Sequence, residues 1–224
     1  MMAGVREFIS LAFCGTMKEK QGTIMARVIG LTGGIASGKS TVSAYLRRQG
    51  VAVVDADQLV HNLQAKGGKL YQALVNHFGS GILRSDGELD RPKLAELIFS
   101  SPEQLATSSE LQDEIIRQAL VEEKARLAAL HDVVVLDIPL LFEKGYASWC
   151  DEVWLVAVDE ETQLQRLMAR NGYTLAQAQT RLQSQMSLAE KQTRADRVID
   201  NTGDLSATYA QVDQLLQALA KGRC

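Results

Sequence analysis

Short apolar runs alternate along this chain with longer segments of helical periodicity. A run at residues 27–32 is followed by glycines, a helical segment over residues 40–49 that ends before Gly50, and a second run at residues 51–54. Such runs, in which polar residues do not alternate, are typical of strands buried on both faces of a parallel sheet. The order strand, glycine turn, helix, strand predicts a βαβ unit with a right-handed crossover.

The middle of the chain, residues 59–130, has helical periodicity and no convincing strand. Ser101 and Pro102 make a good helix start, because serine caps a helix N-terminus and proline fits its first turn. Apolar residues then recur at four-residue spacing from Leu111. A polar stretch over residues 84–91 contains an Asp-Gly turn. The pattern predicts a helical insertion between strands of an α/β core rather than an independent domain.

The apolar runs return after this insertion. Residues 133–136, 152–158 and 197–199 predict three more strands, which makes five in all. A helical segment over residues 160–189 precedes the last strand, and an amphipathic helix over residues 205–219 closes the chain. Strands that alternate with helices predict a three-layer α/β/α domain over residues 25–224, built on a five-stranded parallel sheet.

Residues 1–24 do not fit this pattern. Their apolar centre at residues 8–13 is short even for a secretory signal, and Arg6 and Glu7 make a poor positively charged start. We expect an N-terminal extension outside the fold, with Met17 and Met25 as alternative starts.

Composition and charge narrow the class of protein. Of the 224 residues, 46% are hydrophobic and 23% charged, which are ordinary globular values that argue against disorder. The net charge of −3 disfavours a nucleic-acid binder with a basic stripe. Cys14, Cys150 and Cys224 are too widely spaced for a disulfide framework or a zinc site. No apolar stretch approaches the roughly 20 residues that span a bilayer. We expect a reduced, cytoplasmic protein that binds neither nucleic acid nor membrane.

Residues 33–40 match the phosphate-binding pattern G-x-x-x-x-G-K-[ST] in full, between a predicted strand and a predicted helix. Glycines let backbone N–H groups approach a polyphosphate, and the helix N-terminus adds a positive dipole. Lys39 is expected at the β- and γ-phosphates of ATP, Ser40 on Mg²⁺, and Thr41 near the α-phosphate. The predicted nucleotide-binding residues of this P-loop are Gly34, Ile35, Ala36, Ser37, Gly38, Lys39, Ser40 and Thr41.

Motifs that the chain lacks separate the classes of P-loop protein. It has no Asn-Lys-x-Asp, which disfavours a GTPase switch, and no Leu-Ser-Gly-Gly, which disfavours a transporter ATPase. Asp137 ends a strand of the kind that carries the metal-side acid, but Ile138 follows it, so an ATPase with an adjacent glutamate is less favoured. A small-molecule kinase remains. Such an enzyme needs an acid to orient the acceptor hydroxyl and arginines to cover the transferred phosphoryl group.

Asp55 and Asp57 are the candidate acids. They follow the second apolar run, which we expect beside the P-loop strand, and ligands of open α/β sheets bind at the carboxyl ends of strands. A carboxylate near the acceptor hydroxyl can take its proton. The alternative is that one of them only caps the next helix. Asp57 is the preferred base.

Arg166 and Arg170 are the candidate arginines. They lie four residues apart and therefore on one helix face, from which two guanidinium groups can neutralise charge on the γ-phosphoryl oxygens. The alternative is a solvated face paired with Glu160 and Glu161. Trp149 and Trp154 are expected in core or interface packing rather than as stacking platforms.

Beyond the P-loop, an ordered set of motifs resembles the dephospho-CoA kinase family over residues 25–203. The set comprises residues 31–40, Asp55-Ala56-Asp57, Phe78-Gly79 with Gly87-Glu88-Leu89-Asp90-Arg91, Asp137-Ile138-Pro139-Leu140-Leu141-Phe142-Glu143, Gln163 with Arg166 and Arg170, Gln185, Ala195-Asp196, and Ile199-Asp200-Asn201.

The resemblance implies that ATP, with Mg²⁺ bridging its phosphates, phosphorylates the ribose 3′-hydroxyl of dephospho-CoA in the last step of coenzyme A synthesis. It implies that the P-loop core holds ATP, that the insertion over residues 59–130 holds the acceptor, and that residues 160–190 form a lid. It also makes Asp57 the general base, places Asn201 near the adenine, and assigns Asp55, Leu140 and Glu143 to the substrate. A monomer or weak homo-oligomer is expected.

The sequence departs from the family pattern at residues 1–24 and at two further places. Ala36 stands where the loop usually has glycine, and its methyl group is expected to be tolerated if φ is negative. Asp113 and Glu114 stand where the family usually has a His-Pro pair, so the helix there is expected to run unbroken. Two alternatives stay open. One is another P-loop kinase acting on a nucleoside monophosphate or small metabolite, and the other is a nucleotide-gated binding module without phosphotransfer.

Overall fold

A computed structural model describes residues 25–221 and has a five-stranded sheet in which all pairs are parallel. The predicted extension over residues 1–24, with Cys14, and the terminal Cys224 lie outside the described residues. The strands are β1 (Arg27–Gly33), β2 (Ala52–Asp55), β3 (Val133–Asp137), β4 (Glu152–Ala157) and β5 (Arg197–Asp200). The predicted five-stranded parallel sheet is therefore confirmed.

Nine α-helices connect and flank these strands within residues 25–221, together with short 3₁₀ turns at Ser80–Ile82 and Tyr146–Trp149. The helices are α1 (Lys39–Arg48), α2 (Ala56–Gln64), α3 (Lys69–Phe78), α4 (Arg91–Ile98), α5 (Pro102–Ala128), α6 (Glu160–Asn171), α7 (Leu175–Gln183), α8 (Leu188–Arg194) and α9 (Leu205–Lys221). No helix in this part of the chain is both long enough and apolar enough to cross a membrane.

The strand order is β2-β3-β1-β4-β5. The expectation that β2 lies beside the P-loop strand is therefore wrong, because β3 pairs with β1 on one side and with β2 on the other. Fully buried β3 residues such as Val135 suit this interior position in the sheet. Asp55 consequently stands in register with Asp137, and the two acids end neighbouring strands at the same edge of the sheet.

Apolar side chains cover both faces of the sheet and create a three-layer core. On one face, Ile29 and Trp154 pack with α1 and α9, and on the other Leu136 packs with Leu120 of α5. The full burial of Trp154 confirms its predicted role in packing. Cys150 also packs against this core as a free thiol, and burial raises its pKa to about 12.

The segment between β2 and β3 consists of α2 to α5 with a small apolar cluster of its own that includes Leu70, Leu74 and Ile82. Within residues 59–130 the only β pairing is a single bridge from Leu83 to Leu89, which flanks the predicted Asp-Gly turn. Helix α5 runs unbroken through the Asp113-Glu114 pair, as expected.

The segment over residues 160–189 is helical as predicted, and it consists of three separate helices, α6, α7 and α8. Gly172 ends α6 with a left-handed φ of 67°. Thr174 then starts α7 in a capping box with Gln177, and the Ser187 hydroxyl caps α8. Each new cap satisfies backbone N–H groups that an unbroken helix would have bonded internally.

Candidate active site

The P-loop joins β1 to α1 and bends through two residues with positive φ. Gly38 has a φ of 87° and caps α1, and Ala36 has a φ of 60°. Ala36 is the one non-glycine residue with positive φ within residues 25–221. The condition of a negative φ, on which its methyl group was expected to be tolerated, is therefore not met. A left-handed conformation costs an L-residue roughly 1–2 kcal/mol, so the loop is strained here.

Two buried side-chain amides contact the back of this loop. Gln163 of α6 donates from Nε2 to the Ile35 carbonyl at 2.7 Å, and Asn201 donates from Nδ2 to the Ser37 carbonyl at 2.8 Å. A Cβ atom on Gly34 would collide with Gln163, and one on Gly38 would collide with Asn201. Glycine is therefore favoured at both positions by the close approach of these amides, and at Gly38 by the positive φ as well. Asn201 thus lies behind the loop. Within the sequence, only the family resemblance indicates a role for Gln163 and Asn201.

Lys39, at the start of α1, forms an ion pair with Asp137 at the end of β3. The Asp137 side chain is 4% exposed and that of Lys39 is 15% exposed. A buried carboxylate without a partner would be costly, so the lysine both satisfies Asp137 and is itself held in the cleft. The sequence alone indicates a metal-side acid at Asp137 but not its pairing with Lys39.

A cleft of about 300 Å³ opens beside this ion pair, between α1, the end of β3 and the start of α2. It brings together the predicted residues Lys39, Ser40, Asp55 and Asp57. Its full lining is Lys39, Ser40, Ser43, Arg47, Asp55, Asp57, Gln58, His61 and Asp137.

The two candidate acids have different environments. Asp55 caps α2 by accepting from the Gln58 N–H at 3.0 Å, and its other oxygen pairs with Arg47 at 3.0 Å. The capping alternative therefore applies to Asp55. Asp57 lies in the first turn of α2 and lines the cleft.

Asp57 is exposed at the mouth of the cleft, yet neighbouring protein atoms remove part of its hydration. This desolvation raises the pKa of the Asp57 carboxyl above its ordinary value, against an opposing effect of Lys39, while the nearby charges of Asp55 and Asp137 raise it further. A raised pKa makes the carboxylate a better proton acceptor near neutral pH.

The two candidate arginines, Arg166 and Arg170, are not in the cleft lining. Arg166 donates to the Asn201 carbonyl at 3.0 Å, and Arg170 donates to the side chain of Asn171 at 3.0 Å. These hydrogen bonds replace the pairing with Glu160 and Glu161 that we considered as the alternative. Arg166 is half-buried beside the P-loop, whereas Arg170 is exposed.

Leu140 and Glu143 follow β3 and lie away from the cleft lining. Glu143 forms a 2.9 Å ion pair with Lys191 of α8, whose side chain is fully buried, and also accepts from the Met186 N–H at 3.2 Å. Lys191 donates as well to the Pro139 carbonyl at 3.3 Å. Leu140 is half-buried. Sequence reasoning missed Lys191, because a lysine in a short polar helix gives no signal of burial.

The chain provides oxygen donors for a cation rather than a preformed metal cage. No group of three or more His, Cys, Asp or Glu ligands occurs within residues 25–221. Ser40 places an exposed hydroxyl in the cleft that Asp137 also lines. This donor set fits Mg²⁺, which keeps several waters and binds through few protein oxygens together with substrate phosphates.

A second cavity of about 450 Å³ lies in the insertion, and His61 lines both it and the cleft. Arg84 and Arg91 give it two guanidinium groups, and Glu88 and Asp90 give it two carboxylates. The other lining residues are Gln64, Ala65, Leu89 and Pro92. The two cavities therefore adjoin at His61.

Known proteins resemble this chain over most of its length. A family model described as dephospho-CoA kinase matches residues 27–207. A dephospho-CoA kinase of Streptococcus mutans is 55% identical over 195 residues, which cover 87% of this chain and 98% of that protein. One from Streptococcus agalactiae is 54% identical and is covered completely.

Two solved structures share the fold. A Thermus thermophilus structure is 36% identical with a TM-score of 0.71, over 87% of this chain and 98% of that one. A Campylobacter jejuni dephospho-CoA kinase is 26% identical with a TM-score of 0.69, over 89% of this chain and all of that one.

Proposed function

The chain belongs to the dephospho-CoA kinase family, and on that premise we propose that phosphoryl transfer takes place in the cleft between the P-loop and α2. The family's reaction moves the γ-phosphoryl group of ATP to the ribose 3′-hydroxyl of dephospho-CoA. The observation that carries the proposal is that Lys39 of the P-loop and Asp57 line one cleft. In this cleft the ammonium group of Lys39 can bind the phosphates on one side of the transferred phosphoryl group, and the carboxylate of Asp57 can accept a proton on the other side.

ATP binds with its polyphosphate on the P-loop, residues 34–41. The N–H groups of the loop and of the first turn of α1 bind the phosphate oxygens, and the helix dipole adds to this attraction. Lys39 leaves its ion pair with Asp137 and moves to the β- and γ-phosphates. Because the lysine is already held in the cleft, little side-chain entropy remains to be lost when ATP arrives.

Asp57 is the proposed general base. It accepts the proton of the 3′-hydroxyl as that oxygen forms its bond to the γ-phosphorus, and the bond from that phosphorus to the β-γ bridging oxygen breaks to release ADP. The raised pKa of Asp57 suits this role, since a stronger base accepts the proton more readily. Asp55 is less available to accept a proton, because it caps α2 and pairs with Arg47.

Ser40 is proposed to hold Mg²⁺ together with the phosphates, and Asp137 provides a second anionic oxygen nearby. When bound, the ion would neutralise phosphate charge. The protein's own contribution is to keep these oxygen atoms in place at the ends of β3 and the P-loop.

The second cavity is proposed to take the remainder of the acceptor. Its connection to the cleft at His61 lets one elongated molecule reach both spaces. Arg84 and Arg91 suit the diphosphate of dephospho-CoA, because guanidinium groups bind phosphate oxygens in pairs.

Arg166 and Arg170 are proposed to move to the transferred phosphoryl group when residues 160–190 close over the cleft. Arg166 already lies beside the P-loop, where a Cβ atom on Gly38 would come within 3.8 Å of its Nη1. Its present partner is a neutral carbonyl, which a phosphate can replace with a stronger charge-assisted hydrogen bond.

The test is an ADP-release assay on wild type, Asp57→Asn and Asp55→Asn, with dephospho-CoA and a panel of nucleoside monophosphates and small alcohols as acceptors. We expect turnover of dephospho-CoA to CoA, a loss of at least ~10²-fold in kcat for Asp57→Asn with ATP binding retained, and a smaller loss for Asp55→Asn, because asparagine preserves the cap. An inert dephospho-CoA with another acceptor turned over, or equal losses in the two variants, would overturn the proposal.

A further inference from the structure

Two side-chain amides hold the carbonyl groups on either side of Ala36. Gln163, which is 6% exposed, donates to the Ile35 carbonyl, and Asn201, which is 3% exposed, donates to the Ser37 carbonyl. They reach the loop from different elements, since Gln163 belongs to α6 and Asn201 follows β5. Hydrogen bonds from two separate elements therefore hold the P-loop in place.

The residue between these contacts is the strained one. Ala36 has a φ of 60°, and strained backbone persists only where its surroundings over-determine it. With the carbonyls before and after Ala36 both fixed, rotation of the loop to a relaxed φ would break two buried hydrogen bonds. Each break would leave a buried amide donor without its partner, which is costly.

The same contacts determine where backbone N–H groups point. In a trans peptide the carbonyl oxygen and the next residue's N–H lie in one plane and point in opposite directions. Fixing the Ile35 and Ser37 carbonyls against the protein therefore turns the N–H groups of Ala36 and Gly38 to the opposite side. The Ser37 N–H between them donates to the Gly34 carbonyl at 3.1 Å, so the N–H groups of Ala36 and Gly38 are the ones that can bind an anion here.

The orientation of the Asn201 amide is itself fixed. The Thr208 hydroxyl of α9 donates to Asn201 Oδ1 at 2.9 Å, and the Asn201 backbone N–H donates to the Ala157 carbonyl at 2.8 Å. Because the Ser37 carbonyl can only accept, Nδ2 must face it. Thr208 is fully buried and does not line the cleft.

The network also reaches the lid. Arg166 lies three residues after Gln163, on the same side of α6, and donates to the Asn201 carbonyl. A displacement of α6 would therefore disturb the Ile35 contact and the Arg166 contact together. This links the position of the lid helix to the shape of the loop.

We propose that Gln163 and Asn201 are positioning residues that hold Ala36 in its left-handed conformation and aim the N–H groups of Ala36 and Gly38 at the ATP phosphates. The proposal rests on the proposed function, since it takes the P-loop to be the ATP site. Neither amide contacts the reacting atoms, so their removal should weaken nucleotide binding and leave recognition of the acceptor unchanged.

The first test replaces Gln163 by methionine, which keeps the side chain's length and removes its donor. Gln165→Met is the matched control, because Gln165 is exposed on the same helix and bonds only Glu161 among the described residues. For Gln163→Met we expect the Kd of ADP and the KM of ATP to rise about 3- to 10-fold, because one buried hydrogen bond is lost. The KM of dephospho-CoA should stay within about 2-fold of wild type, and the control should match wild type throughout.

A second substitution separates loop positioning from a general loss of stability. Ala36→Gly allows a φ of +60° without a steric penalty, so in the Gln163→Met background it should restore at least half of the lost ADP affinity on a logarithmic scale. Thr208→Val should weaken ADP binding in the same direction as Gln163→Met, whereas Thr208→Ser, which keeps the hydroxyl, should not.

The proposal is overturned if Gln163→Met and Gln165→Met bind ADP equally well, or if Ala36→Gly restores none of the lost affinity. It is also overturned if the KM values of ATP and dephospho-CoA rise equally. Failure of the proposed function has a different signature. In that case wild type and Gln165→Met would bind ADP but leave dephospho-CoA unphosphorylated, while the ADP measurements would still decide the role of the two amides.

Discussion

Lys39 and Asp137 form an ion pair across the carboxyl edge of the sheet, although 98 residues separate them in the sequence. Each charge depends on the other, because both side chains are largely removed from water. The pair connects Lys39, which is proposed to bind phosphate, to the end of β3, where Asp137 is the proposed metal-side acid. It therefore gives Lys39 a structural role in addition to its proposed role at the phosphates.

Removing the lysine alone should damage both stability and turnover. Lys39→Ala is expected to lower kcat/KM by an amount that corresponds to about 3 kcal/mol of lost transition-state stabilisation, as for the loss of one preorganised donor. It should also lower the free energy of unfolding by up to about 3–5 kcal/mol, because Asp137 is left as a buried charge without its partner. Urea denaturation and steady-state kinetics measure the two effects separately.

The double variant Lys39→Ala/Asp137→Asn provides the control. It should regain most of the stability, since no unpaired charge remains, and none of the activity. Equal stabilities for the single and double variants would contradict the assigned ion pair.

Asp57→Asn should be more stable than wild type at neutral pH. Because the pKa of Asp57 is raised on folding, the folded protein binds more protons at this group than the unfolded chain at pH values above the ordinary carboxyl range, and stability falls there as pH rises. The Asp57→Asn variant does not lose stability in this way, because asparagine does not titrate. The gain in Tm should therefore grow as the pH rises from the ordinary carboxyl pKa through the raised pKa of Asp57 and then level off, and a gain that is the same at every pH would show that the carboxyl pKa is not its cause.

Ala36→Gly should stabilise the protein by about 0.5–1 kcal/mol, the left-handed penalty less the extra entropy of glycine when unfolded. Ala44→Gly is a matched control on the exposed face of α1, where glycine should cost about 1 kcal/mol. Chemical denaturation of the two variants should thus give shifts of opposite sign. Destabilisation by both would mean that Ala36 carries no strain.

Glu143 and Lys191 allow a structural role to be separated from substrate binding. Glu143→Gln should lower the free energy of unfolding by about 3–5 kcal/mol, because it leaves a fully buried lysine charge without its partner. Lys191→Met should cost less, since the Glu143 carboxylate is 21% exposed and can regain water. If Glu143→Gln instead leaves the Tm unchanged and raises the KM of dephospho-CoA, the predicted substrate role of Glu143 is favoured.

A chain that begins at Met25 should keep the Tm and kcat/KM of the full chain, because every strand, helix and cleft residue described above lies after that position. The two chains should be compared at equal concentration. A loss of turnover on removal of residues 1–24 would contradict the prediction that they lie outside the fold.

The sequence was sufficient for the strands and for the P-loop, but not for the order of the strands. Unbroken apolar runs indicate the buried strands, and the spacing of the glycines and Lys39 indicates the P-loop. Which strand lies beside which depends on tertiary pairing, and nothing local in residues 133–137 indicates that they separate β1 from β2.

Details of the site were less predictable. Asp55 and Asp57 both follow a strand, and only the contacts of Asp55 with Gln58 and Arg47 distinguish the cap from the candidate base. The burial of Lys191 depends on a partner distant in sequence and has no local signal. The break before α7 did have one, since Thr174 and Gln177 fit a capping box that our sequence reasoning did not use.

The position of β3 between β2 and β1 constrains the order in which the molecule can fold. β2 pairs with the rest of the sheet only through β3, which fills the space between β2 and β1, and Arg27 and Val133 are register partners. On a ribosome the first βαβ unit would emerge with the space between its strands unfilled until the whole insertion had been synthesised. Closing so long a loop is slow, because its entropy must be lost before the strand pairing compensates. Lys39 would meanwhile lack Asp137, so the complete phosphate site should be among the later features to form during folding.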